Sequence, residues 1–378
     1  MVFRVKSIKT ALLVLCIVII ALHNVDGITY ECETVEKYDA QGRRFCVFRD
    51  VQYLSNTTDI DFKTSEEKQH VVFESSQMEH LPKTFLDKFP DLIALNVTGC
   101  NLTSVVITKS MQDLIATDNY INKIIVEQNP QQCPLNELHL QSNRISDISN
   151  ITRNCKNLRI LDLSRNQMLA EKSELDFSKF NGLNGLEYLS LADVGALYIL
   201  EDKQVFLPNL TLLDLSLNSL LPVELHVDYF QSFKRLEVLR LNNNGFGQLD
   251  YNYFTEMDSL KEIYLEGNEF SCSYLKTMLE HLNSKGKKTP VARPATHCPA
   301  GYNIEQKMCC ISETLMNTPN KTKPQTTTTS YVTETQSSVT TSTTRKPAEQ
   351  TGKNAAGLFV LNSVIAMCGM VVSFSRWM

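Results

Sequence analysis

One short pattern recurs nine times along this chain, and no other feature constrains its fold as tightly. Its third leucine-type position falls at Phe73, Val97, Ala116, Leu140, Leu163, Leu191, Leu215, Leu241 and Leu265. The intervals are 24, 19, 24, 23, 28, 24, 26 and 24 residues, the period of a leucine-rich repeat. The clearest copies begin at Leu158, Leu210 and Leu236 and read L-x-x-L-x-L-x-x-N. Each L-x-L is a short strand with its leucines turned inward, and stacking such strands in parallel buries a core that no single repeat could bury alone. Six copies end on asparagine (Asn119, Asn143, Asn166, Asn218, Asn244, Asn268), while Ser76, Cys100 and Val194 fill the same slot in the others. An amide side chain both donates and accepts, so it can bond backbone groups of neighbouring turns. A helical heptad array does not combine period-two leucines with asparagine at a fixed offset. The pattern predicts an α/β solenoid over residues 70–271: a leucine-rich-repeat horseshoe with a parallel concave sheet and a disulfide cap at each end.

The ends of the chain point to the secretory pathway. Residues 1–27 combine Arg4, Lys6 and Lys9, an apolar run from Ala11 to Leu22 and a cleavage site at Val25-Asp26-Gly27, the layout of a signal peptide. Six glycosylation sequons, at Asn56, Asn96, Asn101, Asn150, Asn209 and Asn320, fit that route. The formal net charge is −5, which supplies no basic stripe for nucleic acid. Residues 313–353 are rich in Thr and Ser and nearly devoid of apolar residues, a composition that cannot bury enough surface to fold and that reads as a stalk. Residues 354–378 are either a signal exchanged for a GPI anchor, with Asn354 as the attachment residue, or a single membrane span. Arg345, Lys346 and Lys353 lie before the apolar stretch and only Arg376 after it, which runs against the positive-inside bias of a span. The spacer before that stretch is short for a GPI signal. Both readings place the protein on the extracellular face of the plasma membrane.

Nine cysteines remain once Cys16 of the leader and Cys368 of the tail are set aside. Cys32 and Cys46 precede the first repeat and are expected to close an N-terminal cap over residues 28–69. Cys133 and Cys155 flank a single repeat, and a bridge between them would tie the connections of successive turns. Cys272, Cys298, Cys309 and Cys310 mark a cysteine-rich C-terminal cap over residues 272–312. Four cysteines allow three pairings, which sequence does not choose between. Adjacent cysteines do not readily bond each other, so Cys309 and Cys310 need separate partners. No C-x-x-C pair supports zinc. Cys100, in an asparagine slot, reads as a buried free thiol.

The Cys133/Cys155 pair straddling one internal repeat, a cap opening Asn268-Glu269-Phe270-Ser271-Cys272 and a cap ending Cys309-Cys310, on a solenoid of this length, resemble the leucine-rich immune proteins of mosquitoes. The resemblance covers roughly residues 30–312. Better-known members continue from the cap into a coiled coil, whereas this chain shows no heptads after Cys310, so it is similar to the coil-less, membrane-attached type. The resemblance implies a recognition role in insect innate immunity and a disulfide-linked dimer through Cys309 or Cys310. A cell-adhesion or guidance protein is the alternative; the terminal double cysteine favours the first.

In the repeat the residue between the two strand leucines faces the concave side. Down the array these residues are Val72, Asn96, Ile115, His139, Asp162, Ser190, Asp214, Arg240 and Tyr264, flanked by Gln141, Arg165, Tyr188, Asn242 and Glu266. From the fifth repeat onward they are polar, charged and aromatic, the mixture that binding hot spots favour. A protein ligand or microbial surface component is therefore expected on Tyr188, Asp214, Arg240, Tyr264 and Glu266, although solvated polar residues would cover this face in any case. A glycan on Asn96 would block the N-terminal part. His139, Asp162 and Ser164 are neighbours that could be imagined as a triad, but no G-x-S-x-G turn accompanies them. With no Gly-rich phosphate loop, H-E-x-x-H or EF-hand spacing, the sequence predicts a binding protein without catalytic residues, cofactor or metal.

Overall fold

A computed structural model of the chain describes residues 27–36, 42–54, 60–127, 133–200, 204–221 and 227–313. The signal sequence, Asn56, Asn320, the Thr/Ser-rich segment and the tail with Asn354 lie outside these residues. Alternation of a buried leucine with an outward residue makes each repeat contribute a strand of three to five residues to one 11-stranded sheet. In spatial order the repeat strands are His70–Glu74, Ala94–Asn96, Asp113–Ile115, Glu137–His139, Ile160–Asp162, Tyr188–Ser190, Leu212–Asp214, Val238–Arg240 and Glu262–Tyr264, each parallel to the next. Their register aligns Leu138, Leu161, Leu189, Leu213, Leu239 and Ile263 in one column, all fully buried. The fold is the predicted leucine-rich-repeat solenoid.

A tenth parallel coil precedes the nine. The strand Phe45–Arg49 pairs with His70–Glu74, setting Cys46 beside Val71 and Phe48 beside Phe73. Cysteine occupies a leucine slot here, and Val51 stands where asparagine would follow, so the repeat pattern does not reveal this coil. Glu33–Val35 pairs antiparallel on its outer edge, and Cys32 is bonded to Cys46. Beneath this cap Phe48, Phe62, Phe73, Phe85 and Phe89 pack ring against ring, largely edge to face, as aromatic quadrupoles prefer.

The asparagines explain how the chain leaves each strand. All six place Oδ1 against a backbone N–H of the preceding coil, at Leu102, Ile121, Ile145, Val194, Leu220 and Asn244 in turn. Asn218 also serves Ala196, so it spans the coil in which Val194 replaces asparagine. The residue before every slot is left-handed: Ser75, Gly99, Asp118, Ser142, Arg165, Asp193, Leu217, Asn243 and Gly267 all have positive φ. Side chains other than glycine and asparagine adopt that conformation at a cost, which the amide bonds of the slot offset in the six coils that carry asparagine. At Cys100 the slot holds a free, buried thiol with only long sulfur contacts to the carbonyls of Phe73 and Thr98. Burial pushes its pKa up to about 12.

Cys133 is bonded to Cys155. At the C-terminal end the helix Cys272–Ser284, capped by the Ser271 hydroxyl, lays Leu275, Met278, Leu279 and Leu282 over the last coil. The following segment covers the sheet edge: Ile263 N–H donates to Lys288 O, and buried Lys287 donates through Nζ to the carbonyls of Met257 and Leu260. The hairpin formed by Tyr302–Glu305 and Met308–Ile311 completes the cap. Its bridges are Cys272–Cys310 and Cys298–Cys309. This corrects the expected disulfide-linked dimer: both adjacent cysteines are consumed within the chain, so neither offers a thiol to a second copy.

Candidate ligand-binding face

Two columns of side chains line the concave sheet, because each three-residue strand turns its first and third residues outward. One runs Glu137, Ile160, Tyr188, Leu212, Val238, Glu262, and the other His139, Asp162, Ser190, Asp214, Arg240, Tyr264. Within the second column Asp162 and Asp214 repeat one arrangement. Asp162 Oδ1 accepts from Ser164 N and Oγ at 3.0 and 2.7 Å; Asp214 Oδ1 accepts from Ser216 N and Oγ at 2.9 and 2.6 Å. These local bonds brace the turn out of the strand, a habit of aspartate. The second carboxylate oxygens look sideways, accepting from Gln141 Nε2 at 2.7 Å and from Arg240 Nη1 at 3.1 Å. Asp162 thus bonds Ser164 directly, while the His139 ring lies 3.6 Å from Glu137, an arrangement that is not a catalytic triad.

The ligand residues expected from sequence separate into two groups. Tyr188, Arg240 and Tyr264 are half-buried and face outward. Arg240 sits 5.4 Å from the Tyr264 ring centre; burial opposes its charge, but the Asp214 carboxylate more than compensates and raises its pKa. Asp214 and Glu266 are only 6% and 8% exposed. Asp214 is enclosed by Ser216 and Arg240. Glu266 is covered by the C-terminal cap, where one carboxylate oxygen accepts from Ala292 N at 3.1 Å and the other has no partner. One Asp214 carboxylate oxygen thus orients Arg240, and the same side chain borders the hollow described next.

Between the two aspartates the strand Tyr188–Ser190 carries Ser190, followed by Ala192 where its neighbours carry Ser164 and Ser216. The smaller side chains open a hollow of about 310 Å³. Asp162 and Asp214 flank it, Tyr188 and Gln141 form part of its wall, and Arg165, Asp193 and Leu217 stand at its edge. Gln141 Oε1 is buried without a hydrogen-bond partner. The Tyr188 phenol is raised above its usual pKa by burial and by the charges of Asp162 and Asp214. The sequence signal for this hollow is the run Ser190-Leu191-Ala192 between two copies of Asp-Leu-Ser, and concave-column reasoning alone passed over it. Among the described residues no cluster of His, Cys, Asp and Glu could hold a metal ion.

Four sequons fall on described residues. Asn101 and Asn150 are exposed; Asn209 is half-buried, its amide donating to Asn184 O and accepting from Arg235. Asn96 lies in the sheet face, its Oδ1 accepting from Thr98 N and Oγ1.

A family model described as leucine rich repeat matches residues 208–270, and one described as two copies of leucine rich repeats matches residues 135–179. The chain is a leucine-rich-repeat protein. No curated protein matches it in sequence. Among solved structures it is similar to the LRIM1/APL1C complex, at 20% identity and TM-score 0.41 over 75% of this chain and 71% of that one. It is also similar to the leucine-rich repeat domain of APL1B, at 20% identity and TM-score 0.44 over 71% and 86% of the two chains. Human 5T4, the trophoblast glycoprotein, shows 21% identity and TM-score 0.43 over 73% of this chain and 92% of its own. The four disulfides among the described residues fit an oxidising compartment, as of a secreted or extracellular protein. No helix among the described residues is long and apolar enough to cross a membrane.

Proposed function

We propose that this is a cell-surface recognition protein of insect innate immunity that binds a protein or microbial surface component on its concave face, anchored through residues 354–378. The observation that carries the binding site is the Asp214–Arg240–Tyr264 alignment. A guanidinium that is held by a buried carboxylate and lies near an aromatic ring is already fixed when a partner arrives, so less side-chain entropy is lost on binding. Arginine and tyrosine are also the residue types that dominate hot spots. The immune assignment rests on the cysteine layout, namely one internal bridge and a cap ending in adjacent cysteines that pair separately.

A glycan wedge tests the site. Leu217 is exposed at the edge of the hollow and left-handed, a conformation asparagine tolerates better than leucine. Leu217→Asn turns Leu217-Asn218-Ser219 into a sequon; adding Ser219→Ala removes it again. Binding to immobilised bacterial and fungal surface preparations and to body-fluid proteins should be lost with the single variant and kept with the double. Equal binding by both would move the site off the concave face. For the anchor, release from cells by phosphatidylinositol-specific phospholipase C is expected of a GPI anchor, and retention of Trp377 in the membrane fraction of a span.

A further inference from the structure

The hollow between Asp162 and Asp214 has a chemistry more specific than that of a general protein-binding surface. Its volume of about 310 Å³ would hold about ten waters at roughly 30 Å³ each, which is room for one long side chain. Its two flanking carboxylates are more than nine-tenths buried. Each receives three hydrogen bonds within the chain against about four lone-pair positions on a carboxylate. The Gln141 carbonyl oxygen beside Asp162 receives none. Asp162, Asp193 and Asp214 line the hollow with Arg165, and Arg240 bonds Asp214 from the next coil at 3.1 Å; three carboxylates against two guanidiniums leave the hollow net negative, with about one lone-pair position still open on each flanking carboxylate. Arg165 is turned to solvent and lies 4.0 Å from Asp193, so it does not neutralise the interior.

Spacing narrows the occupant further. The strands of Asp162 and Asp214 are separated by that of Ser190, a distance of roughly 9.6 Å at about 4.8 Å per strand. A compact ammonium placed over Ser190 would favour one side. A planar guanidinium carries five donors in a fork and addresses acceptors on both, and the Tyr188 ring adds an aromatic wall suited to it. We infer that the hollow receives one arginine side chain of the protein partner, selected by Asp162 and Asp214 across the small floor of Ser190 and Ala192. This rests on the concave-face reading above and names the residue that face recognises.

The test uses purified full-length protein and fluorescently labelled Gly/Ser nonapeptides with a central arginine, lysine, citrulline or glutamate. Citrulline keeps the shape of arginine and removes the charge. The arginine peptide should bind in the millimolar range, at least tenfold more tightly than the citrulline peptide and more tightly than the lysine peptide. Asp162→Ser should weaken it at least fivefold; serine stands at the equivalent position of the next coil, Ser190, so the fold accommodates it. Ala192→Leu, which fills the hollow from its floor, should do the same, and Asp250→Asn, on an exposed loop elsewhere, should change nothing. Citrulline binding within twofold of arginine, no arginine-dependent binding at millimolar concentration, or arginine binding retained by both hollow variants would overturn the inference. In those cases the glycan wedge at Leu217 decides separately whether the concave face binds ligand at all.

Discussion

Replacing Asn166 with alanine isolates what the asparagine slot contributes. The side chain is fully buried. Its Oδ1 accepts from Ile145 N at 2.8 Å, and its Nδ2 donates to the carbonyls of Leu140 and Leu163, each at 2.9 Å. Alanine leaves the buried Ile145 N–H without that acceptor and removes a donor from two carbonyls. An unsatisfied buried group costs about 1–3 kcal/mol; three affected groups at about 1–2 kcal/mol each, the lower part of that range, predict a loss of about 3–6 kcal/mol. For a folded unit of this size, roughly 2 °C per kcal/mol gives a fall in Tm of about 6–12 °C, measurable by circular dichroism and urea titration. Asn166→Asp separates hydrogen bonding from packing, because it is nearly isosteric but turns the donor into an acceptor facing two carbonyl oxygens. A cavity explanation predicts almost no effect for aspartate; the hydrogen-bond explanation predicts a loss at least as large as for alanine. Asn244, half-buried with bonds of 3.1–3.2 Å, should cost about half as much on truncation. A loss below about 1 kcal/mol for Asn166→Ala, or a silent Asn166→Asp, would refute the reasoning.

The disulfides and the free thiol give further expectations. The Cys133→Ser, Cys155→Ser double variant opens a loop of sequence separation 22 and should lose about 3 kcal/mol in the chain-entropy model, read by urea unfolding; peptide mapping under non-reducing conditions should recover these two cysteines linked to each other. On a non-reducing gel the protein should run as a monomer, since Cys309 and Cys310 are bonded to Cys298 and Cys272, and a dimer band sensitive to reductant would contradict that pairing. Cys100, with its pKa pushed up to about 12 by burial, should resist iodoacetamide at pH 8 until the protein is unfolded. Because the folded value is raised, its contribution to stability is complete below the ordinary thiol value of 9.0 and is lost as pH rises toward about 12, so a Cys100→Ala variant should show a shallower decline of Tm over that alkaline range than the unaltered protein.

The sequence by itself determined the stacking direction, the coil period and the inward column from Leu138 to Ile263, because each coil must solve the same burial problem with the same residues. It also marked the amide slots and the positions of the cap cysteines. It did not reveal the coil at Phe45–Arg49, where Cys46 replaces leucine and its bridge to Cys32 supplies the constraint that a leucine pattern would have signalled. The C-cap pairing was open for a similar reason: which cysteines meet depends on how the helix Cys272–Ser284 and the final hairpin pack, not on spacing. Only the tertiary structure decided which concave residues reach solvent. Asp214 and Glu266 share the expected face with Arg240 and Tyr264, yet one lies under its own serine and a neighbouring arginine and the other under the cap segment at Ala292. The hollow exists because three adjacent coils carry large, small and large side chains in register. A periodic sequence shows which face a residue occupies; its exposure depends on side chains a full coil away and on a cap that belongs to no repeat.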